Sequence, residues 1–281
     1  MASHFERARG AATAAVVGAL TVGSGLPHLV RGAGDVPWQA TIVTTSALAV
    51  LAALAVHSVP AGPAAPAGTP PLDLLAAVRA LRDRPLRMTT VGYMGHMWEL
   101  YALWAWLPAF FAASRTDAGR QLVGAVAFAA IGAAGFVGAV AAGRVADRIG
   151  RPATTTFAML ASAACCLVSP LAFAAPTPAL IALLLVWGAA VIADSAQFSA
   201  ATTELAEPLY AGSALTLQLA LGFALTVVTI RLVPLTADAI GWRFALVPLA
   251  AGPLAGTFAM VRLQRGMGLS PGNVCRAASV T

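Results

Sequence analysis

Long apolar stretches alternate with short gaps that carry most of the arginines along this chain. Eight stretches are long enough to matter: Ala11–Val30, Trp38–Val59, Met88–Ala113, Gln121–Gly143, Thr154–Ala175, Pro178–Phe198, Leu209–Val233 and Phe244–Val261. About 20 apolar residues carry a helix across bilayer hydrocarbon. Lipid offers nothing to the backbone of an open chain, so each stretch must satisfy its own amides and carbonyls as a helix. The pattern therefore predicts an all-α polytopic membrane protein of eight transmembrane helices. Arg7 and Arg9 ahead of the first stretch also suit a signal peptide, but the length of that stretch and the lack of a small-residue cleavage site near Leu26–Val30 favour a retained span.

Composition agrees: 59% of the 281 residues are hydrophobic and 10% charged, against about 25% charged in soluble domains. The net charge of +6 does not point to nucleic acid, because all 17 basic residues are arginines scattered through the gaps. On alternate sides of the membrane they divide unequally. Arg7, Arg9, Arg79, Arg82, Arg84, Arg87, Arg144, Arg148, Arg151, Arg262, Arg265 and Arg276 fall on one side, and Arg31, Arg115, Arg120, Arg231 and Arg243 on the other. The positive-inside rule then places both termini in the cytoplasm.

The longest gap, Pro60–Arg87, opens with a Pro/Ala/Gly tract to Pro71 and continues as an amphipathic stretch from Leu72 to Leu86. It reads as a flexible linker followed by a helix at the cytoplasmic interface. Gly132, Gly135 and Gly138 predict one small face on the fourth span, and Pro234, Pro248, Gly252 and Pro253 predict bends in the last two. Cys165 and Cys166 read as small buried hydrophobes, with no metal-ligand spacing.

Between the fourth and fifth spans stands Gly143-Arg144-Val145-Ala146-Asp147-Arg148-Ile149-Gly150-Arg151. The pattern Gly-x-x-x-Asp-Arg-x-Gly-Arg in a short cytoplasmic loop resembles the signature of the major facilitator superfamily. Physically, Gly150 allows a tight reversal, Gly143 a close helix crossing, and Asp147, Arg148 and Arg151 offer charges to neighbours or lipid phosphates. Pro152 departs from the family's usual basic residue. The resemblance implies two lobes of six helices joined by a cytoplasmic linker. Aligned on the linker and signature, residues 1–59 correspond to the last two helices of an amino-terminal lobe, 60–87 to the linker, 88–265 to a complete carboxyl-terminal lobe, and 266–281 to a tail. The first four helices of the family's plan are not represented, which leads to the expectation that Met1 is not the natural start of a complete transporter. The string Gly92–Tyr101 also looks like permeases of this superfamily.

Two acids lie within the apolar runs, Glu99 near the middle of the third span and Asp194 in the sixth. Each costs about 2.5 to 3.5 kcal/mol on insertion scales, so it should face protein or a wet cavity. Tyr93, His96 and Glu99 follow at intervals of three as one polar stripe, and Asp194 and Gln197 form a second. Inverted repeats within the six-helix lobe would set these two spans in corresponding positions. By resemblance they are helices that line the central cavity. The five residues are thus candidates for a substrate or proton pathway; the rival reading is a buried acid hydrogen-bonded between helices. Trp98, Tyr101, Trp104 and Trp106 suit packing and interface anchoring better than stacking on substrate.

The sequence supports a secondary transporter of this superfamily in the bacterial inner membrane, moving a small solute by alternating access, with protons as a candidate coupling ion. Its partners would be that solute and the lipid bilayer, not nucleic acid, with missing amino-terminal helices or a second copy completing it. No cofactor or metal ligand set is read. An enzyme built from His96, Asp194 and Ser195 lacks a nucleophile elbow or a metal-binding motif. The remaining alternative is a non-transporting truncated protein or assembly partner.

Overall fold

The computed structural model describes residues 9–59 and 73–266, and every element among them is helical. The Pro60–Pro71 tract, Cys275 and the tail lie outside the described residues. The first two spans are α1 (Arg9–Ala33) and α2 (Trp38–His57). A short helix, α3 (Leu74–Ala80), follows, with the Asp73 amide donating to Ser213 Oγ at 3.0 Å. The amphipathic stretch is therefore broken: a turn at 81–83 separates α3 from α4 (Arg84–Ser114). Asp83 caps α4 by accepting from the Leu86 amide at 3.4 Å, and Pro85 sits in the first turn, where a missing amide costs nothing.

The fourth span comprises α5 (Arg120–Ala127), a π-helical segment (Phe128–Ala134) and α6 (Gly135–Ile149). The fifth is α7 (Arg151–Ala174), and the sixth is divided at Asp194 into α8 (Thr177–Ala193) and α9 (Ser195–Leu205). The seventh, α10 (Ala211–Ile240), passes Pro234 without interruption. The eighth begins as two 3-10 turns, Trp242–Phe244 and Val247–Ala250, before α11 (Ala251–Gly266). Pro248 and Pro253, each without an amide, put the irregularity at the start of that span rather than in its middle.

The signature is not a loop. Helix α6 continues through Ile149, and the reversal into α7 is made at Gly150 alone, with φ 85°. A residue with a side chain would be strained there. Pro152 occupies the first turn of α7, which explains how the chain tolerates its departure from the family pattern.

The three glycines of the fourth span do not share one partner, because the π segment and the −60° drift of an i+3 series turn them apart. Gly132 and Gly135 face α1, while Gly138 meets the backbone of Ala189 on α8. Helix α1 runs antiparallel to this span, with Gly18 against Phe136, Thr21 against Gly135, Gly25 against Gly132 and Gly32 against Gly124. A Cβ on Gly25 would stand 2.9 Å from the Gly132 amide nitrogen, so the close approach requires glycine. Buried Thr21 shares its hydroxyl proton between Gly18 O at 2.7 Å and Gly132 O in the π segment at 3.1 Å. The core behind this interface is formed by large side chains such as Leu107, Phe110, Phe111, Leu184 and Trp187. Helix α2 differs from all of these: none of its residues is buried.

Candidate functional site

Helix α4 carries three of the five pathway candidates, and the structure sends them to different neighbours. Tyr93 is buried with its ring 5.9 Å from that of His96 and 6.1 Å from Phe198, beside Gly222 of α10. His96 Nδ1 lies 2.7 Å from Asp194 Oδ1, with both side chains buried. The contact is a close approach of charge-bearing atoms without the alignment of a true hydrogen bond, and His96 Nε2 has no partner among the described residues. Asp194 is held there by the break in the sixth span, being both the last cap of α8 and the residue before α9.

Glu99 turns away to the other side. Its Oε1 accepts from Trp187 Nε1 at 2.5 Å, Ser162 Oγ at 2.7 Å and Cys166 Sγ at 3.2 Å, joining α4 to α7 and α8. Cys165 and Cys166 are buried free thiols, yet Cys166 is a donor and more than the small hydrophobe its sequence context suggests. The single polar stripe on α4 is thus two separate polar centres, because successive i+3 steps rotate about the helix.

Gln197, one turn beyond Asp194, accepts from Arg151 at 2.9 Å through its Oε1 and leaves its Nε2 unpartnered among the described residues. Arg151 also forks onto Glu204, with Nη2 to Oε1 at 2.7 Å and Nε to Oε2 at 3.0 Å. The last residue of the signature is thereby connected through Gln197 to the segment that carries Asp194. Asp147 is exposed and makes no ion pair among the described residues. The antiparallel register of α1 sets the start of that helix beside the end of α6 that bears Asp147.

Sequence reasoning missed Ser162, Cys166, Trp187 and Glu204. The first two lie four apart in an otherwise apolar run, a spacing that could have marked one face; for Trp187 and Glu204 nothing in the sequence announced a partner. The other aromatic residues pack: Trp98 Nε1 donates to Pro248 O at 3.2 Å, and Tyr101 and Trp104 meet at 5.5 Å.

Residues 1–230 match the sequence profile described as Major Facilitator Superfamily. The chain belongs to this superfamily. It is a membrane protein with apolar helices of membrane-crossing length. The fold is similar to that in the crystal structure of a bacterial homologue of the iron transporter ferroportin in an outward-facing state. The TM-score is 0.57 and the identity 13%, over 73% of this chain and 50% of that one. At that identity the likeness is one of fold, and this chain spans about half the length of that protein. No curated protein matches the chain.

Proposed function

We propose that the chain acts as a secondary transporter of the cell membrane, moving a small solute by alternating access with the His96–Asp194 pair as its proton-carrying group. The orientation follows the arginine bias, with both termini in the cytoplasm. Residues 1–59 serve as the amino-lobe part, 60–87 as linker, 88–265 as the carboxyl-terminal lobe and 266–281 as tail.

The observation that carries this reading is the His96–Asp194 contact across α4 and the α8–α9 break. Two charges out of water are expensive unless fully hydrogen-bonded, and His96 Nε2 has no partner among the described residues. Gain or loss of one proton changes the charge of the pair and the attraction between α4 and α9. Helix discontinuities near the midplane are where transporters gather binding groups. Glu99, with three donors on one oxygen, serves better as a clamp within the lobe than as a group that repeatedly exchanges protons.

A second reading, an assembly partner that does not transport by itself, is favoured by α2, which buries nothing against the other described residues. Uptake of a panel of radiolabelled sugars, amino acids and organic acids into vesicles, with and without an imposed pH gradient, separates the two. Gradient-dependent accumulation of any solute supports the transporter. Uniformly flat uptake favours the partner.

A further inference from the structure

A cavity of about 480 Å3 opens between α1, α4 and α5 at the end opposite the signature. Its basic wall is His28 and Arg31 from α1 and Arg120 from α5, and its apolar wall includes Trp106, Pro108 and Ala112 from α4. Among the described residues no carboxylate belongs to its lining, although Asp35 reaches Arg120. The volume falls in the usual range of small-molecule sites, about 300 to 1,000 Å3.

The arginines are available. Arg31 is exposed and makes no hydrogen bond or ion pair among the described residues, with His28 one helical turn away. Arg120 pairs with Asp35, but both side chains are largely solvent-exposed, at 63% and 88%. Such a pair contributes little and exchanges readily. Asp35 therefore occupies Arg120 much as an external carboxylate would. The Trp106 indole nitrogen is committed to Ile230 O at 2.8 Å, which fixes the ring and leaves its apolar surface to face the cavity.

We infer that this cavity is a binding site for the anionic group of a small ligand, a carboxylate or phosphate, gripped by Arg31 and Arg120, with an apolar body against Trp106, Pro108 and Ala112. A guanidinium fork matches either anion with two parallel hydrogen bonds, and a bound anion would neutralise Arg31 and compete with the exposed Asp35 for Arg120. The ligand is either a free solute or the headgroup of an anionic lipid. The inference does not depend on the transport reading.

Protection of a reporter thiol tests it. The full chain carrying Ala112→Cys and Cys275→Ser is reconstituted in phosphatidylcholine vesicles and labelled with a maleimide at fixed ionic strength; native Cys165 and Cys166 are buried. Benzoate or inorganic phosphate is expected to slow labelling at least threefold and saturably, while benzamide and benzylammonium do not. If the free anions have no effect but inclusion of phosphatidylglycerol slows labelling equally, the anion site holds and its ligand is a lipid headgroup. Arg31→Gln should abolish the protection and Arg31→Lys retain part of it, with unfolding midpoints nearly unchanged because Arg31 is exposed and makes no hydrogen bond or ion pair among the described residues. Equal protection by benzamide, undiminished protection in Arg31→Gln, or no protection by any anion overturns the inference. Anion binding without uptake would count against the transport reading alone.

Discussion

The indole Nε1 of Trp106 donates to the carbonyl oxygen of Ile230 at 2.8 Å, and Ile230 is the residue whose usual acceptor role is vacated by Pro234, four positions on. A helix interior proline removes one amide and orphans one carbonyl. In a bilayer that carbonyl has no water to turn to, so a side chain from α4 takes the place of the missing backbone donor and ties α4 to α10.

Trp106→Phe should therefore lower stability by about 1 kcal/mol, within the range of a lost hydrogen bond in a membrane bundle. Pro234→Ala restores an amide to Ile230, so the same Trp106→Phe change should cost measurably less in that background. Thermal unfolding of the four proteins in detergent forms a double-mutant cycle. Strict additivity would show that the Trp106 bond does not stand in for the amide missing at Pro234.

Glu99 offers a second prediction. Glu99→Gln keeps an oxygen for Ser162, Cys166 and Trp187, whereas Glu99→Leu leaves three buried donors without an acceptor. The leucine variant should lose about 2 to 4 kcal/mol; the glutamine variant should remain folded and retain uptake within about twofold, a range below 1.4 kcal/mol in the barrier. A folded Glu99→Gln protein without uptake would move Glu99 from clamp to proton pathway.

At the signature, Arg151→Ala removes the fork to Glu204 and the hydrogen bond to Gln197. The pair is partly exposed, with Glu204 at 59%, so little stability should be lost. Uptake rate should fall several-fold with substrate affinity nearly unchanged, since the contact joins helices at the membrane surface and lies away from the cavity of His28 and Arg31. Initial-rate kinetics over a range of solute concentrations would show an altered KM instead if Arg151 contacted substrate.

Topology is open to direct measurement as well. Single cysteines at Thr116 and Arg82, both exposed, should label from opposite sides of the membrane in a background with Cys275→Ser. Thr116 is a better reporter than Ser114, whose hydroxyl is engaged by Phe173 O at 2.7 Å. Labelling of both from one side would reverse the arginine-based orientation.

Much of the fold was legible because a bilayer imposes one rule on every span. The eight apolar runs each fall on a long helical segment, of which six among the described residues are long and apolar enough to cross a membrane, and Gly150, placed by a motif, carries the positive φ that the reversal needs. What escaped depended on side-chain direction around a helix. Tyr93, His96 and Glu99 look like one stripe in the sequence, yet their drift sends His96 to Asp194 and Glu99 to Trp187. The π segment at Phe128–Ala134 has no local composition that announces it, and it alters which glycines face α1. The signature reads as a loop because of its charges, but arginine and alanine favour helix, and α6 runs on to Ile149. The basic cavity was hidden for a simpler reason: His28 and Arg31 come from one span and Arg120 from another far along the chain.

The role proposed for His96 and Asp194 is to carry the proton of a transport cycle. It is tested most directly by loading vesicles with a pH-sensitive dye and recording proton movement when a solute identified by uptake is added. The wild type should move protons in step with solute, and Asp194→Asn should abolish proton movement while still exchanging solute across the membrane. Undiminished proton movement in Asp194→Asn, or solute uptake by the wild type with no proton movement, would contradict the account.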